Sequence, residues 1–219
     1  MAERTTRRDW HDWHRDYADP DSALSRRLDT VQARIREFLD TAAPGPVRAI
    51  SVCAGQGRDL LDVLAGHPRR AEVTARLVEL DPRNARVAAE AARAAGLHRV
   101  EVVVGDAAAV DRYADLAPAD LVLVCGVFGN VTDDDVRRTV GYCTQLCATG
   151  GTVVWTRHRG EPDLVPRICE WFAAEDFELG WLSAPEAGFG VGAHRFTGRP
   201  RPLDRGGRMF TFVDTRPPG

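Results

Sequence analysis

The stretch Ile50-Ser51-Val52-Cys53-Ala54-Gly55-Gln56-Gly57-Arg58-Asp59-Leu60-Leu61, followed by Leu77-Val78-Glu79-Leu80-Asp81-Pro82, constrains this chain more than any other feature. It reads as an apolar strand, a glycine turn, a helix and a second strand ending in a carboxylate. Gly55 and Gly57 permit a tight turn and a close backbone approach to a ligand. The helix opening near Arg58 aims unpaired N–H groups at the same place. Glu79, ending the second strand, stands where an acid can accept from both hydroxyls of a ribose. The pattern is that of a nucleoside-binding half-site; the plainer alternative is a strand-to-helix turn in an ordinary α/β domain.

The spacing separates the nucleosides. A nicotinamide or flavin fingerprint needs a third glycine for close helix–sheet packing beneath a pyrophosphate, and here Leu60 follows Gly55 and Gly57 at that place. A phosphate-binding P-loop needs a lysine, and all 29 basic residues of the chain are arginine.

The segment resembles motif I of the class I S-adenosylmethionine (SAM)-dependent methyltransferases. In that family an acid, an apolar residue and three alternating glycines end the first strand; the matching positions here are Ser51, Val52, Cys53, Gly55 and Gly57. Ser51 thus replaces the family acid and Cys53 the first glycine. A neutral Ser51 cannot make the charge-assisted bond to the SAM ammonium, and Asp59 is either a partial substitute or a favourable first-turn acid. The resemblance extends along most of the chain. Glu79 matches the ribose acid, with Leu80 beside it. Val102-Val103-Val104-Gly105-Asp106 resembles the third strand, whose terminal Asp takes the adenine amino group next to Ala107. Asp120-Leu121-Val122-Leu123-Val124-Cys125-Gly126 resembles the fourth, at whose exit the family places substrate. The resemblance implies a cofactor site of Tyr17, Cys53, Ala54, Gly55, Gly57, Asp59, Glu79, Leu80, Asp106, Ala107 and Cys125, with SAM as cofactor.

Strands and helices alternate from Arg48 to Ala174: strands at 48–52, 73–80, 100–104, 120–125 and 152–156, with helices from Arg58, Pro82, Thr132 and Leu164. Such alternation builds a mainly parallel sheet covered on both faces. Two further strands, 178–182 and 191–197, are joined by the short turn Glu186-Ala187-Gly188-Phe189-Gly190 and must be antiparallel. The expected fold is α/β, a Rossmann-like three-layer sandwich whose seven-stranded, mainly parallel sheet has an antiparallel last strand. At 219 residues, 44% of them hydrophobic, the chain suits one full domain. Within it, residues 1–45 form an N-terminal helical lid segment and 46–219 the SAM-binding core. The helix of the lid starts near Asp21 or Ser22, and the segments 198–202 and 217–219 read as surface extension.

The opening residues are charged, and no apolar run approaches the roughly 18 residues of a membrane span, so the expected location is the cytoplasm. Five cysteines suit a reducing compartment better than a disulfide framework. Cys143 and Cys147, four apart on an expected helix, read as packing rather than as half of a zinc site. A net charge of −3 disfavours a protein that coats nucleic acid. Arginines from Arg195 onward, and the run Arg157-His158-Arg159, are either a solvated surface or a site for an anionic substrate.

SAM carries an activated methyl group, so such an enzyme chiefly positions the nucleophile and excludes water. Candidates for proton transfer or orientation are His158, His194, Asn130, and His11 and His14 within Trp10-His11-Asp12-Trp13-His14-Arg15-Asp16-Tyr17. That aromatic segment suits a lid, and the resemblance places Tyr17 at the methionine carboxylate. No Asn/Asp-Pro-Pro-aromatic element follows the fourth strand, which disfavours nucleic-acid base methylation, and no carboxylates converge there as a divalent cation requires. The expected activity is metal-independent methyl transfer to O, N or C of a small molecule. The alternatives are a SAM-binding enzyme of other chemistry, such as cyclisation, and a non-catalytic SAM-binding protein.

Overall fold

The structure, a computed structural model, describes residues 19 and 22–213. Helix α1 (Ala23–Thr41) comes first, followed by β1 (Val47–Val52), α2 (Arg58–Gly66), β2 (Val73–Glu79), α3 (Pro82–Ala94) and β3 (Val100–Val104). Then come β4 (Ala119–Val124), α4 (Asp133–Leu146), β5 (Cys147–His158), α5 (Val165–Ala174), β6 (Phe177–Leu182) and β7 (Phe189–Phe196).

Local chemistry explains the helix starts. The Ser22 hydroxyl accepts from Ser25 N at 3.0 Å to cap α1. Asp81 accepts from Arg83 N at 2.8 Å ahead of Pro82, the first residue of α3. Thr132 accepts from Asp135 N at 3.2 Å at the head of α4, whose first turn holds Asp133, Asp134 and Asp135. Each cap satisfies a donor the helix leaves open, and the acids favour the dipole.

The strands form one sheet in the order β3-β2-β1-β4-β5-β7-β6. From β3 to β5 all neighbours are parallel. β7 is antiparallel to both β5 and β6. The last strand is therefore antiparallel as expected, and it lies inside the sheet while β6 takes the edge. Two cores flank the sheet. One packs Ile50, Val122, Val153 and Trp155 against α4 and α5 through Val136, Val140, Ile168 and Phe172. The other packs Ala49, Leu121 and Val154 against α1 and α2 through Ile35, Leu39, Leu60 and Leu64. The strand order reverses between β1 and β4, and such a switch point opens a crevice at the carboxyl ends of the strands.

Three expectations change. β5 begins at Cys147, not Thr152, because residues 148–151 form a bulge: Ala119 pairs with Cys147, then Leu121 with Thr152. A Cβ on Gly151 would lie 2.8 Å from the Asp120 carbonyl, so a glycine lets the bulge close on the neighbouring strand. Cys147 is consequently a buried strand residue and shares no helix face with Cys143. The chain after Gly198 also returns to the body. Met209 and Phe210 are buried, and bridges Ala109–Arg208 and Val131–Phe212 tie it to the loops after β3 and β4. Among the described residues no helix is long and apolar enough to cross a membrane.

Candidate active site

The carboxyl ends of β1, β2 and β3 lie side by side and bring acidic side chains together. Glu79, nearly fully buried, accepts from Gly55 N at 2.8 Å through one oxygen and from Asp81 N at 2.9 Å through the other. It is thus the post that holds the glycine turn against β2. Burial pushes its carboxyl above the usual range, and the two backbone donors pull it back. Ala54 N donates to Val78 O at 3.0 Å, and Gly105 N to Glu79 O at 2.9 Å, fixing the three strand exits relative to one another.

The turn itself is left-handed at Cys53 (φ 54°), Gly55 (φ 56°) and Gly57 (φ 72°). Cys53 is a non-glycine residue where such a φ costs roughly 1–2 kcal/mol, in the position the resemblance assigns to the first glycine. Its thiol is pushed well up by burial first and then by the neighbouring Glu79 and Asp106 charges, so it is a protonated thiol. Gly57 heads α2, and a Cβ there would sit 2.7 Å from Leu61 Cδ1 and 2.8 Å from Leu77 Cδ2. Here glycine is what permits the helix to approach the sheet so closely.

Asp59, in the first turn of α2, accepts from Leu60 N at 2.8 Å. Burial lifts its carboxyl to about 6, against the two backbone hydrogen bonds, and nearby Asp62 adds to the rise. Asp106 caps the turn after β3, accepting from Ala108 N at 3.0 Å, while its second oxygen is ion-paired to Arg208. Leu80 (58% exposed) and Val104 (55%) leave apolar surface at the ends of β2 and β3. Ala107 lies buried next to Asp106.

A second group of residues lies at the exits of β4 and β5. Cys125 is half-buried there, close enough to Asp59 for that charge to raise its thiol further after burial. Gly126 N donates to Thr156 Oγ1 at 2.8 Å, which ties the β4 exit to β5. Asn130 Nδ2 donates to Gly126 O at 2.8 Å and closes the loop on itself. Arg157 holds the same loop by donating to Phe128 O.

His158 lies over Gly129, where a Cβ would come within 3.3 Å of its ring. Its Nδ1 accepts from Gly160 N at 3.1 Å, so the neutral ring carries its proton on Nε2. Burial, and then Arg157, lower its pKa. His194 is a different matter. Its Nδ1 accepts from Trp155 Nε1 at 3.1 Å, its ring stacks on Phe172 at 4.5 Å, and burial lowers it to about 4. A histidine enclosed in the aromatic core cannot reach substrate, which removes it as a candidate base.

The structure places Cys53, Ala54, Gly55, Gly57, Glu79, Leu80, Asp106 and Ala107 at the exits of β1–β3, Asp59 in the first turn of α2 near Cys125, and Asn130 and His158 beyond β4 and at the end of β5. Tyr17, His11 and His14 lie outside the described residues. Sequence reasoning missed Arg208, Thr156 and the loop-holding role of Arg157. The tail arginines were visible as a group, but nothing local marked which of them turns inward.

Residues 49–151 match a protein family described as a methyltransferase domain. That span runs from β1 into β5 and includes the acidic strand exits. The match covers a little under half of the chain, and over that span the chain is similar to methyltransferase domains. Its fold is shared with 1,6-didemethyltoxoflavin-N1-methyltransferase of Burkholderia thailandensis, solved with 1,6-didemethyltoxoflavin and S-adenosylhomocysteine. The TM-score is 0.62 at 19% identity, covering 86% of this chain and 84% of that one. It is shared likewise with magnesium protoporphyrin IX methyltransferase of Synechocystis PCC 6803, solved with SAM: TM-score 0.63, 13% identity, covering 84% and 89%. An O-methyltransferase family protein of Burkholderia thailandensis superposes at TM-score 0.60 and 15% identity over 89% of this chain, which spans 65% of that protein's length. No curated protein matches the sequence.

The two solved neighbours hold SAM or S-adenosylhomocysteine, and the residues present here suit such a ligand. The left-handed turn at Cys53, Gly55 and Gly57 turns the backbone sharply at the exit of β1. Three carboxylates around these exits favour a ligand bearing sulfonium and ammonium charge, and the apolar patch of Leu80 and Val104 suits a flat base.

Proposed function

We propose that the protein methylates a small metabolite at the joint exit of β4 and β5, without a metal. The observation that carries this reading is that the acidic, glycine-bearing exits of β1–β3 adjoin the exits of β4 and β5, where Cys125 lies near Asp59 and His158 lies over Gly129. When bound, SAM supplies an activated methyl group; the chain's own residues hold, orient and exclude water.

In this reading Glu79 uses its remaining lone pairs for the ribose hydroxyls, each carboxylate oxygen having two acceptor sites. Leu80 packs on the adenine, and Asp106 and the Ala107 backbone read its edge. Cys53, Ala54, Gly55 and Gly57 line the methionyl portion with backbone. Asp59 supplies the negative charge for the ammonium that Ser51, buried in β1, cannot. The family resemblance assigns Tyr17 to the methionine carboxylate and the segment with His11 and His14 to the cover of the site. Removing residues 1–17 should then leave S-adenosylhomocysteine binding in place and lower turnover.

On the substrate side, His158 has its proton on Nε2 and presents a donor. Action as a general base through Nε2 requires it to give up the bond from Gly160. Asn130 spends one Nδ2 hydrogen within the loop, which leaves its carbonyl oxygen and the second Nδ2 hydrogen to meet a substrate. A donor at His158, beside Arg157 and Arg159, favours an acceptor-rich or anionic substrate, and the net charge of −3 disfavours a nucleic acid. The five unpaired thiols fit a reducing compartment such as the cytoplasm.

The test is incubation of the protein with SAM and a fractionated metabolite extract, following S-adenosylhomocysteine release and the mass of new products. The expected result is a small molecule heavier by one methyl-for-hydrogen exchange. A product altered without methyl gain, or tight SAM binding with no product in any fraction, would overturn the proposal.

A further inference from the structure

We infer that Arg208, brought in by the C-terminal strap, is a positioning residue of the adenosine site: it fixes the Asp106 carboxylate in the orientation that selects an adenine amino group. The inference rests on the reading of Asp106 as the adenine acceptor.

The strap is anchored on both sides of Arg208. Val110 N donates to Gly207 O at 3.1 Å and Met209 N to Ala108 O at 2.9 Å, so Arg208 sits between two backbone bonds to the very turn that Asp106 caps. Met209 and Phe210 follow directly and are buried. Gly206 N donates to Asp111 Oδ2 at 3.2 Å, and Thr211 N to Asp135 Oδ2 at 2.9 Å. At Gly207 a Cβ would lie 2.5 Å from the Tyr142 hydroxyl and 2.6 Å from Asp204 Oδ2, so the approach is as close as glycine allows.

From this fixed backbone Arg208 donates to Asp106 Oδ2 while Ala108 N holds Oδ1. The carboxylate plane is then set by two different donors, one on each oxygen. With Arg208 removed, only the Ala108 bond restrains a terminal torsion that is intrinsically broad. Each oxygen keeps a lone pair for an incoming amine. Arg208 and Asp106 are about half exposed, at 52% and 41%, so screening limits the effect on binding to roughly 3- to 10-fold.

Calorimetry on the full chain tests this, using S-adenosylhomocysteine and S-inosylhomocysteine, which carries a carbonyl where adenine has its amino group. Arg208→Ala should weaken S-adenosylhomocysteine by that factor and reduce the preference for it over the inosyl analogue. Arg208→Lys should restore part of both, and Arg208→Ala should add nothing in an Asp106→Asn background. A general structural role would lower the thermal midpoint without moving the preference. If Asp106→Asn lowers the preference and Arg208→Ala does not, the inference fails while the adenine reading stands. If Asp106→Asn leaves the preference unchanged, the adenine reading fails and the inference with it. Tighter binding by Arg208→Ala would show that the arginine competes with the cofactor, contradicting the inference.

Discussion

Asp59 and Gly57 sit two residues apart and face different physical demands. Asp59 carries a carboxyl lifted by burial to about 6. A folded-state pKa above the unfolded one means that its contribution to stability is full below the ordinary carboxylate range and lost as pH rises through about 6. Cofactor binding has the opposite sign. A bound ammonium favours the ionised carboxylate, so S-adenosylhomocysteine affinity should rise as pH climbs through about 6 and level off above it. Titrations from about pH 5 to 8 check this, and the slope should vanish in Asp59→Asn; an equal slope in that variant would rule Asp59 out. Gly57 and Gly126 have nearly the same φ, 72° and 76°, but different surroundings. Both pay roughly 1–2 kcal/mol on conversion to Ala for the left-handed backbone. Gly57→Ala must also push aside Leu61 and Leu77, adding about 1–3 kcal/mol, whereas nothing lies within 4 Å of a Cβ at Gly126. Thermal or urea unfolding should therefore rank Gly57→Ala well below Gly126→Ala, and equal losses would contradict the packing argument.

At the scale of elements, the strap after β7 joins the loop following β3 to the loop following β4. Phe210 is 1% exposed within the core that also contains Val131 and Val136. Phe210→Ala should cost about 3–5 kcal/mol, as for other buried aromatics. Phe212, 40% exposed one residue past Thr211, should cost under about 1 kcal/mol by the same substitution. Denaturant curves for the two variants give the comparison, and a small loss at Phe210 would return the strap to the status of an appendage. The alternation of strands and helices was legible because each element from β1 to α5 carries its own signal: apolar runs, Pro82 at a helix start, a hydroxyl cap at Thr132. The strap was not legible. Its Pro, Gly and Arg composition is that of a surface loop, and the two buried side chains that make it structural show no period of 2 or 3.6. The start of β5 was missed for a related reason, since Thr149-Gly150-Gly151 reads locally as a helix stop and only pairing with β4 turns it into a bulge. The clustering of Cys53, Gly55, Glu79 and Asp106 was legible because it is built from the exits of three successive strands. The pairing of Asp106 with Arg208 spans most of the chain and has no local mark. His194 shows the converse failure: a histidine on the last strand invites a catalytic role, and only the packing of Trp155 and Phe172 around it reveals a core residue.

For the whole molecule, the reversal of strand order between β1 and β4 sets a switch point at the carboxyl ends of the strands, and β7 lies antiparallel between β5 and β6. In the proposed function the acidic strand exits bind an adenosyl amino-acid cofactor, held through Glu79 at the exit of β2. The same carboxylate also holds the glycine turn, which makes it the position where binding and local structure converge. Isothermal titration of the full chain with S-adenosylhomocysteine and with NAD, before and after Glu79→Ala, tests this most directly. The account predicts binding of S-adenosylhomocysteine and none of NAD, with a loss of roughly 1–3 kcal/mol in the variant, the usual effect of removing a charged hydrogen-bond partner. Tight NAD binding, or an unchanged S-adenosylhomocysteine affinity in Glu79→Ala, would contradict it.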